Sequence, residues 1–346
     1  MKRQVTLHDV ARDAGVSIKT VSRVVNGEEH VSPGTRERVL ASVRRLGYRP
    51  NEVARSLKGG GSRMLGLLIA DISNPFYASI AKAVEDESRR AGYSLVLCAS
   101  SEDVDREREY VEMLFRRRLE GLLLVPAPNG HDYLRREIQA GLVVVAIDRP
   151  VDGLGVDTVL VENRSGTYAA LRHLILHGHR RIGFVGAEHQ LYTVRERLAG
   201  YEQALRESGL EPMVELDAPD APRAAAATRR LLELPLPPTA LFCVNNLATL
   251  GALQTLRTLG LRVPEDVTLV GFDDFELAEL LHPTLTMVRQ PTEEMGRLGA
   301  RMLLERLNGE YTGEPRRVVL PTQLMLRESC GCRRNIDQES ERCTLP

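Results

Sequence analysis

Several carboxylates and amides of this 346-residue chain stand just behind short apolar runs. Asp71 follows Leu65–Ala70 and precedes Asn74-Pro75-Phe76-Tyr77, and Pro126 follows Leu122–Val125. Asp148-Arg149 follow Val143–Ile147, and Asn245-Asn246 follow Ala240–Val244. Asp273-Asp274 follow Val267–Val270, with Gly271-Phe272 between. Carboxylates and amides hold hydroxyl groups by hydrogen bonds, and an aromatic ring packs on a sugar face, so the mixture suits a small polyhydroxylated ligand. Taken singly, each residue reads as a cap or turn; taken together, they favour a cleft. No Gly-x-Ser-x-Gly, His-Glu-x-x-His or phosphate-loop pattern is present. Catalysis therefore has no anchor, and the chain is expected not to be an enzyme.

His173, His177 and His179 include an i, i+4 pair that a helix can present to one metal ion, but Gly178 is expected to end that helix. Among the five cysteines, Cys98 and Cys243 lie in apolar runs and read as small core residues. Cys330-Gly331-Cys332 matches no common zinc spacing and has no histidine near it in sequence. With Cys343, the odd count fits free thiols rather than a disulfide framework. No metal and no cofactor is expected.

The elements that must position the polar run-ends follow a β-α-β rhythm. Seven apolar runs, the five above with Leu95–Cys98 and Ile182–Val185, alternate with helical stretches. That is enough for two doubly wound parallel sheets, whose ligands sit beyond the carboxyl ends of the strands. The length suits two or three compact units. No apolar run reaches the roughly 20 residues that span a bilayer. The start, Met1-Lys2-Arg3-Gln4-Val5-Thr6, lacks the apolar stretch of a signal peptide. A soluble, cytoplasmic protein without a membrane partner is expected.

The net charge of −1 conceals a division: Met1–Arg63 carries 13 basic and 6 acidic residues, and the remainder carries −8. A basic head on an acidic body points to a polyanion partner. Thr6-Leu7-His8-Asp9 reads as a capping box, followed by the apolar face Leu7, Val10, Ala11 and Ala14. Gly15 turns the chain, and Ser17 caps a second helix that buries Val21, Val24 and Val25. Ser32-Pro33 opens a third helix with Val39, Val43 and Leu46 inward, and Gly47 ends it. Two short helices joined by a glycine-containing turn are the helix-turn-helix pattern. The second helix carries Ser17, Lys19, Thr20, Ser22 and Arg23 early, where a recognition helix meets base edges. Lys19 and Arg23 can donate to guanine O6 and N7, while Thr20 and Ser22 suit phosphates. Asn51 can cap a helix of barely two turns before the glycine joint Gly59-Gly60-Gly61. Only four lysines occur against 42 arginines, and three of them, Lys2, Lys19 and Lys58, lie in the head.

On these motifs the head resembles the headpiece and hinge of the LacI/GalR family. The matching stretches are Thr6-Leu7-His8-Asp9-Val10-Ala11, Gly15-Val16-Ser17, Thr20-Val21-Ser22-Arg23-Val24-Val25-Asn26-Gly27 and Gly47-Tyr48-Arg49-Pro50-Asn51. The resemblance runs on to about Cys330. It implies a sequence-specific transcriptional regulator, a repressor, controlled by a sugar or related metabolite between two lobes. It implies a hinge helix that folds on DNA, with Leu57 wedged into the central minor-groove step. Lys58 would contact a base, as in the purine-repressor branch. The candidate DNA contacts are Thr6, Ser17, Ile18, Lys19, Thr20, Ser22, Arg23, Asn26, Asn51, Ala54, Leu57 and Lys58.

The resemblance also implies a small all-α headpiece on an α/β, two-lobed periplasmic-binding-protein-like core. The expected boundaries are a headpiece at 1–50, a hinge at 51–63, a DNA-proximal lobe at 64–160 plus 291–330, a distal lobe at 161–290 and a disordered tail at 331–346. In Val194-Arg195-Glu196-Arg197-Leu198-Ala199-Gly200-Tyr201 the second arginine matches an effector contact. The candidate effector residues are Asp71, Phe76, Asp148, Arg195, Arg197, Asn246, Asp273 and Gln290. Two departures stand out: Asn245-Asn246 replaces the Asn-Asp of many sugar-binding members, and Asp217–Arg223 lacks the aromatic that often covers the ligand, leaving Asp220 as a substitute. His173 and His179 fall where the family has structural histidines. A homodimer on a near-palindromic operator is expected, with contacts near Phe76–Ala91 and Arg106–Arg117. The alternatives are a cytoplasmic solute-binding protein and a sugar- or nucleoside-processing enzyme. The basic head argues against the first, and the missing nucleophile and acid–base pair argue against the second.

Overall fold

The computed structural model describes residues 5–25, 31–48 and 61–332. The chain divides into two compact units, Met1–Ser62 and Arg63–Pro346. Asn26, the hinge residues Asn51, Ala54, Leu57 and Lys58, Cys343 and the tail from 333 onward lie outside the described residues.

In the first unit the described residues form α1 (Leu7–Ala14), α2 (Ile18–Val25) and α3 (Pro33–Leu46). The reciprocal cap at α1 forms as expected: Thr6 Oγ1 accepts from the Asp9 backbone, and the Asp9 carboxylate accepts from Thr6 N at 2.9 Å. Such a cap is worth roughly 1 kcal/mol. Gly15 closes α1 at φ 63°, in the left-handed region that a Cβ disfavours. Ser17 Oγ accepts from Thr20 N at 3.1 Å and starts α2. Helices this short are marginal alone. They are held by a shared centre of Val10, Ala11, Ala14, Val21, Val24 and Val39, with Leu7, Val25, Val43 and Leu46 packed against it.

In the second unit the described residues build two six-stranded sheets. The first contains β1 (Met64–Ile69), β2 (Ser94–Ala99), β3 (Gly121–Leu124), β4 (Val143–Ile147), β5 (Asp157–Val161) and β11 (Arg317–Leu320). Its order is β11-β5-β4-β3-β1-β2, all parallel. The second contains β6 (Ile182–Val185), β7 (Met213–Glu215), β8 (Ala240–Cys243), β9 (Thr268–Phe272), β10 (Thr286–Arg289) and β12 (Gln323–Met325). Its order, β12-β10-β9-β8-β6-β7, repeats the first strand for strand, with only β12 antiparallel. Central strands such as β3, β4, β8 and β9 are buried on both faces, which is why their sequences are continuous apolar runs.

Helices α4 (Pro75–Arg90), α5 (Val104–Arg116), α6 (Asp132–Gln139) and α11 (Thr292–Leu307) belong to the first lobe. Helices α7 (Asn163–Leu176), α8 (Tyr192–Glu207), α9 (Ala221–Leu232) and α10 (Asn246–Thr258) belong to the second. The chain crosses between lobes three times: from β5 to α7, from β10 to α11, and from β11 to β12.

The third crossing corrects the expected lobe boundary. Residues beyond 320 do not finish the first lobe: β12 pairs with β10 at the edge of the second sheet. Ser329 then donates to Leu269 O at 2.6 Å and accepts from Thr286 N at 2.8 Å. The exposed edge of β10 needs a hydrogen-bonding partner, and the last strand supplies one.

Candidate functional site

On the head, Ser17, Ile18 and Lys19 at the start of α2 are exposed, Thr20 and Ser22 are half-buried, and Arg23, also half-buried, stands in the last turn rather than early in the helix. The Thr6 hydroxyl donates to Asp9 Oδ2 at 2.7 Å, and the Ser17 and Thr20 hydroxyls lie 2.8 Å apart. A phosphate only accepts, so Thr6 can reach one only by giving up its bond to Asp9, whereas one hydroxyl proton of the Ser17–Thr20 pair is left to donate. Ile18, 40% exposed, is an apolar side chain left on a polar surface.

In the second unit the carboxyl ends of both sheets face a cavity of about 530 Å³. It is lined by Asp71, Asn74, Phe76, Tyr77, Ser101, Glu102, Asp148 and Arg149 from the first lobe. Glu188, Leu191, Thr193, Val194, Arg197, Asn245, Leu247 and Asp273 line it from the second, and Gln290 lies at the second crossing.

Arg197 is the best-held of these, at 4% exposure. Its Nε donates to Asn163 Oδ1 at 2.8 Å, its Nη1 donates to Val244 O at 2.6 Å, and Nη1 lies 3.4 Å from Asp273 Oδ1. The Phe272 ring supports the guanidinium from 3.7 Å. Gly200, one turn further along α8, makes this possible: a Cβ there would meet Arg164 O at 2.3 Å. Only a hydrogen at that position lets α8 approach α7 closely enough for Arg197 to reach Asn163.

Arg149 anchors the opposite wall. It forms a two-pronged ion pair with Glu102 at 2.6 and 2.7 Å and donates to Tyr77 Oη at 3.1 Å. Asp148 beside it is buried, and burial pushes its carboxyl up to about 6. Asp148 Oδ1 and Gln290 Oε1 are buried acceptors without a donor among the described residues. The other ends of these groups are engaged: the Gln290 amide donates to Asp273, and Asp148 Oδ2 lies 3.5 Å from Arg149 Nε. Burial also raises the Glu188 carboxyl.

The lobes touch across the cleft at polar contacts. Asn246 donates to Asn74 Oδ1 at 2.8 Å, and Asn74 donates back at 3.4 Å. Asn129 donates to Gln190 at 3.1 Å, and Arg317 to Tyr192 Oη at 3.2 Å.

The structure thus brings together Asp71, Phe76, Asp148, Arg197, Asp273 and Gln290, with Asn246 behind Asn74. Arg195 is a correction. It is exposed, binds the Gln190 carbonyl and is not on the cavity wall. Two positions before Arg197 along a helix is roughly 200° around its axis, which points the side chain away. Asp220 likewise caps α9, accepting from Arg223 N at 2.8 Å. Glu102 and Glu188 also line the cleft, behind β2 and β6, although neither directly follows an apolar run in the sequence. His179 lies 2.9 Å from the Thr239 hydroxyl, whereas His173 and His177 meet Cys332.

Comparison with known proteins places these features. Residues 6–51 match the model for bacterial regulatory proteins of the lacI family, and residues 171–330 match a periplasmic-binding-protein-like domain. The chain is 35% identical over 311 residues to the HTH-type transcriptional repressor PurR of Aliivibrio salmonicida, covering 88% of this chain and 93% of that one. A lac repressor dimer bound to operator and the anti-inducer ONPF superposes with a TM-score of 0.85 at 29% identity, covering 95% of this chain and 99% of that one. A transcriptional regulator CelR–cellobiose complex gives 0.71 at 37% identity, covering 94% and 100%. With a head that matches the lacI-family model, a body that matches a periplasmic-binding-protein-like domain and a repressor 35% identical over most of its length, the chain belongs to the lacI family of bacterial transcriptional regulators.

Proposed function

We propose that this chain is a homodimeric repressor whose interlobe cleft takes a small, neutral, polyhydroxylated effector that alters its grip on a near-palindromic operator. The observation that carries the effector class is the charge and bonding state of the cleft wall. Five carboxylates, Asp71, Glu102, Asp148, Glu188 and Asp273, face it against two guanidiniums, Arg149 and Arg197. Both guanidiniums are already paired with carboxylates. The acceptors at Asp148 and Gln290 await donors. Such a wall repels phosphates and carboxylates and rewards hydroxyl groups. Arg197 holds the second-lobe side, Asp148 and Gln290 accept ligand hydroxyls, and Phe76 packs on the carbon face. The cellobiose complex of CelR agrees with this class.

The lobe angle transmits occupancy to the heads, a coupling typically about 1–3 kcal/mol that acts equally in both directions. Relatives named as repressors support repression and a non-enzymatic role, and DNA as partner implies a cytoplasmic site of action. A second copy is proposed to cover a groove of about 890 Å³ between α4, α11 and the turn at Glu276–Glu279, where Leu277 is 59% exposed.

The test begins with sites selected from random duplexes, and then scores release or enhancement by neutral polyols against their phosphorylated counterparts. A palindromic consensus whose binding responds to a neutral polyol supports the proposal. A response restricted to phosphorylated or carboxylated ligands overturns the effector class.

A further inference from the structure

We propose that His173, His177 and Cys332 form a binding site for one divalent transition ion of the zinc class, on the second lobe and separate from the cleft. One candidate ligand atom from each residue lies within 4.8 Å of the other two. None of the three lines the cleft.

The placement follows from two local devices. His173 and His177 are one turn apart at the end of α7, with ring centroids 4.3 Å apart. At the other end of the sequence, β12 returns to the second sheet, and Gly331 at φ 73° turns the chain so that Cys332 Sγ lies 2.9 Å from His173 Nε2.

The donors are prepared for coordination. His177 Nδ1 lies 2.8 Å from the carbonyl oxygen of His173. A carbonyl can only accept, so Nδ1 carries the proton and Nε2 keeps its lone pair. His173 Nε2 and the sulfur face each other directly, and an ion between them replaces the thiol proton, one proton released per ion bound. Two imidazoles and a thiolate are the donor set of zinc and its neighbours; magnesium and calcium prefer oxygen. Metal–ligand bonds of about 2.0–2.3 Å set tetrahedral donors roughly 3.3–3.7 Å apart. The present spacing reaches that range by side-chain adjustment. Cys330 is not a fourth ligand, since its buried thiol donates to Arg327 O at 3.2 Å. Water can supply the fourth ligand beside the exposed His177. The bound ion ties the start of the second lobe to the segment that follows its last strand.

The experiment uses full-length reduced protein stripped with a chelator and titrated with cobalt(II). One thiolate-to-cobalt charge-transfer band per chain is expected, together with a zinc-dependent rise in thermal midpoint that the chelator reverses. Both signals should be lost in C332S and in H177Q, which alters an exposed side chain and leaves the fold intact by circular dichroism. Both should persist in C343S and C98S. Absence of the band in the wild type, its survival in H177Q or C332S, or its loss in C343S overturns the assignment.

Discussion

Asp148 and Asp273 hold the same position in the two lobes. Each follows the third strand of its sheet in spatial order, and each adopts a left-handed backbone, φ 71° and 68°. The backbone N–H groups bond to equivalent acceptors, Val159 O at 2.9 Å and Val288 O at 3.0 Å. Asp and Asn tolerate this conformation better than most residues because their short side chains bond locally. The environments differ. Asp273 faces Arg197 and Gln290, whereas Asp148 keeps one oxygen without a donor.

That asymmetry predicts a pH dependence. Burial holds Asp148 at about 6, above the roughly 3.9 of an unfolded aspartate. Between about pH 4 and 6 the folded chain binds more of this proton than the unfolded chain, so its contribution to stability falls as pH rises and levels off above 6. Asp148→Asn should remove that slope and stabilise the ligand-free protein at pH 7 by up to about 3 kcal/mol. Denaturant titrations at pH 4.5 and 7 measure both effects. Effector hydroxyls prefer the carboxylate, so wild-type affinity should rise from pH 5 to 7 and that of the variant should stay flat.

Arg197→Lys keeps the charge but cannot reach Asn163, Val244 and Asp273 together. Effector affinity should drop at least tenfold, while ligand-free DNA affinity stays within twofold. Calorimetry and filter binding on one preparation separate the two. Unchanged effector affinity removes Arg197 from the binding role.

The Asn74–Asn246 clasp crosses the cleft without a ligand. Asn246→Ala deletes hydrogen bonds worth about 0.5–1.5 kcal/mol. If the clasp favours the closed cleft, effector binding weakens by roughly two- to tenfold, and small-angle scattering detects a larger radius of gyration.

Gly200→Ala drives a methyl group into Arg164 O and forces α7 and α8 apart. A loss of about 1–3 kcal/mol is expected, typical of overpacking, with reduced effector affinity because Arg197 moves with α8. Thermal melts and calorimetry check the two parts.

On the head, Lys19→Ala should relax base preference within each half-site; an unchanged consensus in site selection confines Lys19 to phosphate. Thr6→Ala should cost about 1 kcal/mol of headpiece stability through loss of the cap, measured on the melting of the full chain.

The sequence was most legible where burial is most complete. The runs that became β1, β3, β4, β8 and β9 are apolar because both sheet faces are covered, and Asp71, Asp148, Arg149, Asn245 and Asp273 behind β1, β4, β8 and β9 line the cleft. Glu102 and Glu188 carry no run-end signal because two small residues, Ser100-Ser101 and Gly186-Ala187, separate them from β2 and β6. Strands β7, β10, β11 and β12 span three or four residues each, too short for a periodic signal, and β11 alternates in exposure as an edge does. The meeting of His173 with Cys332 spans 159 positions and depends on where the third crossing lands. No local pattern encodes that, and the same crossing moved residues beyond 320 into the second lobe.

The threefold passage between lobes has a consequence for how the gene can be cut. Neither lobe is a contiguous stretch, so no single nuclease or protease cut releases one intact. A stop codon anywhere upstream of Arg317 strips an edge strand from both sheets at once, since β11 and β12 are the last strands of the described chain. Late nonsense alleles should therefore lose the folded effector-binding body rather than only its effector response, since the loss falls on both sheets and not on the separate unit Met1–Ser62.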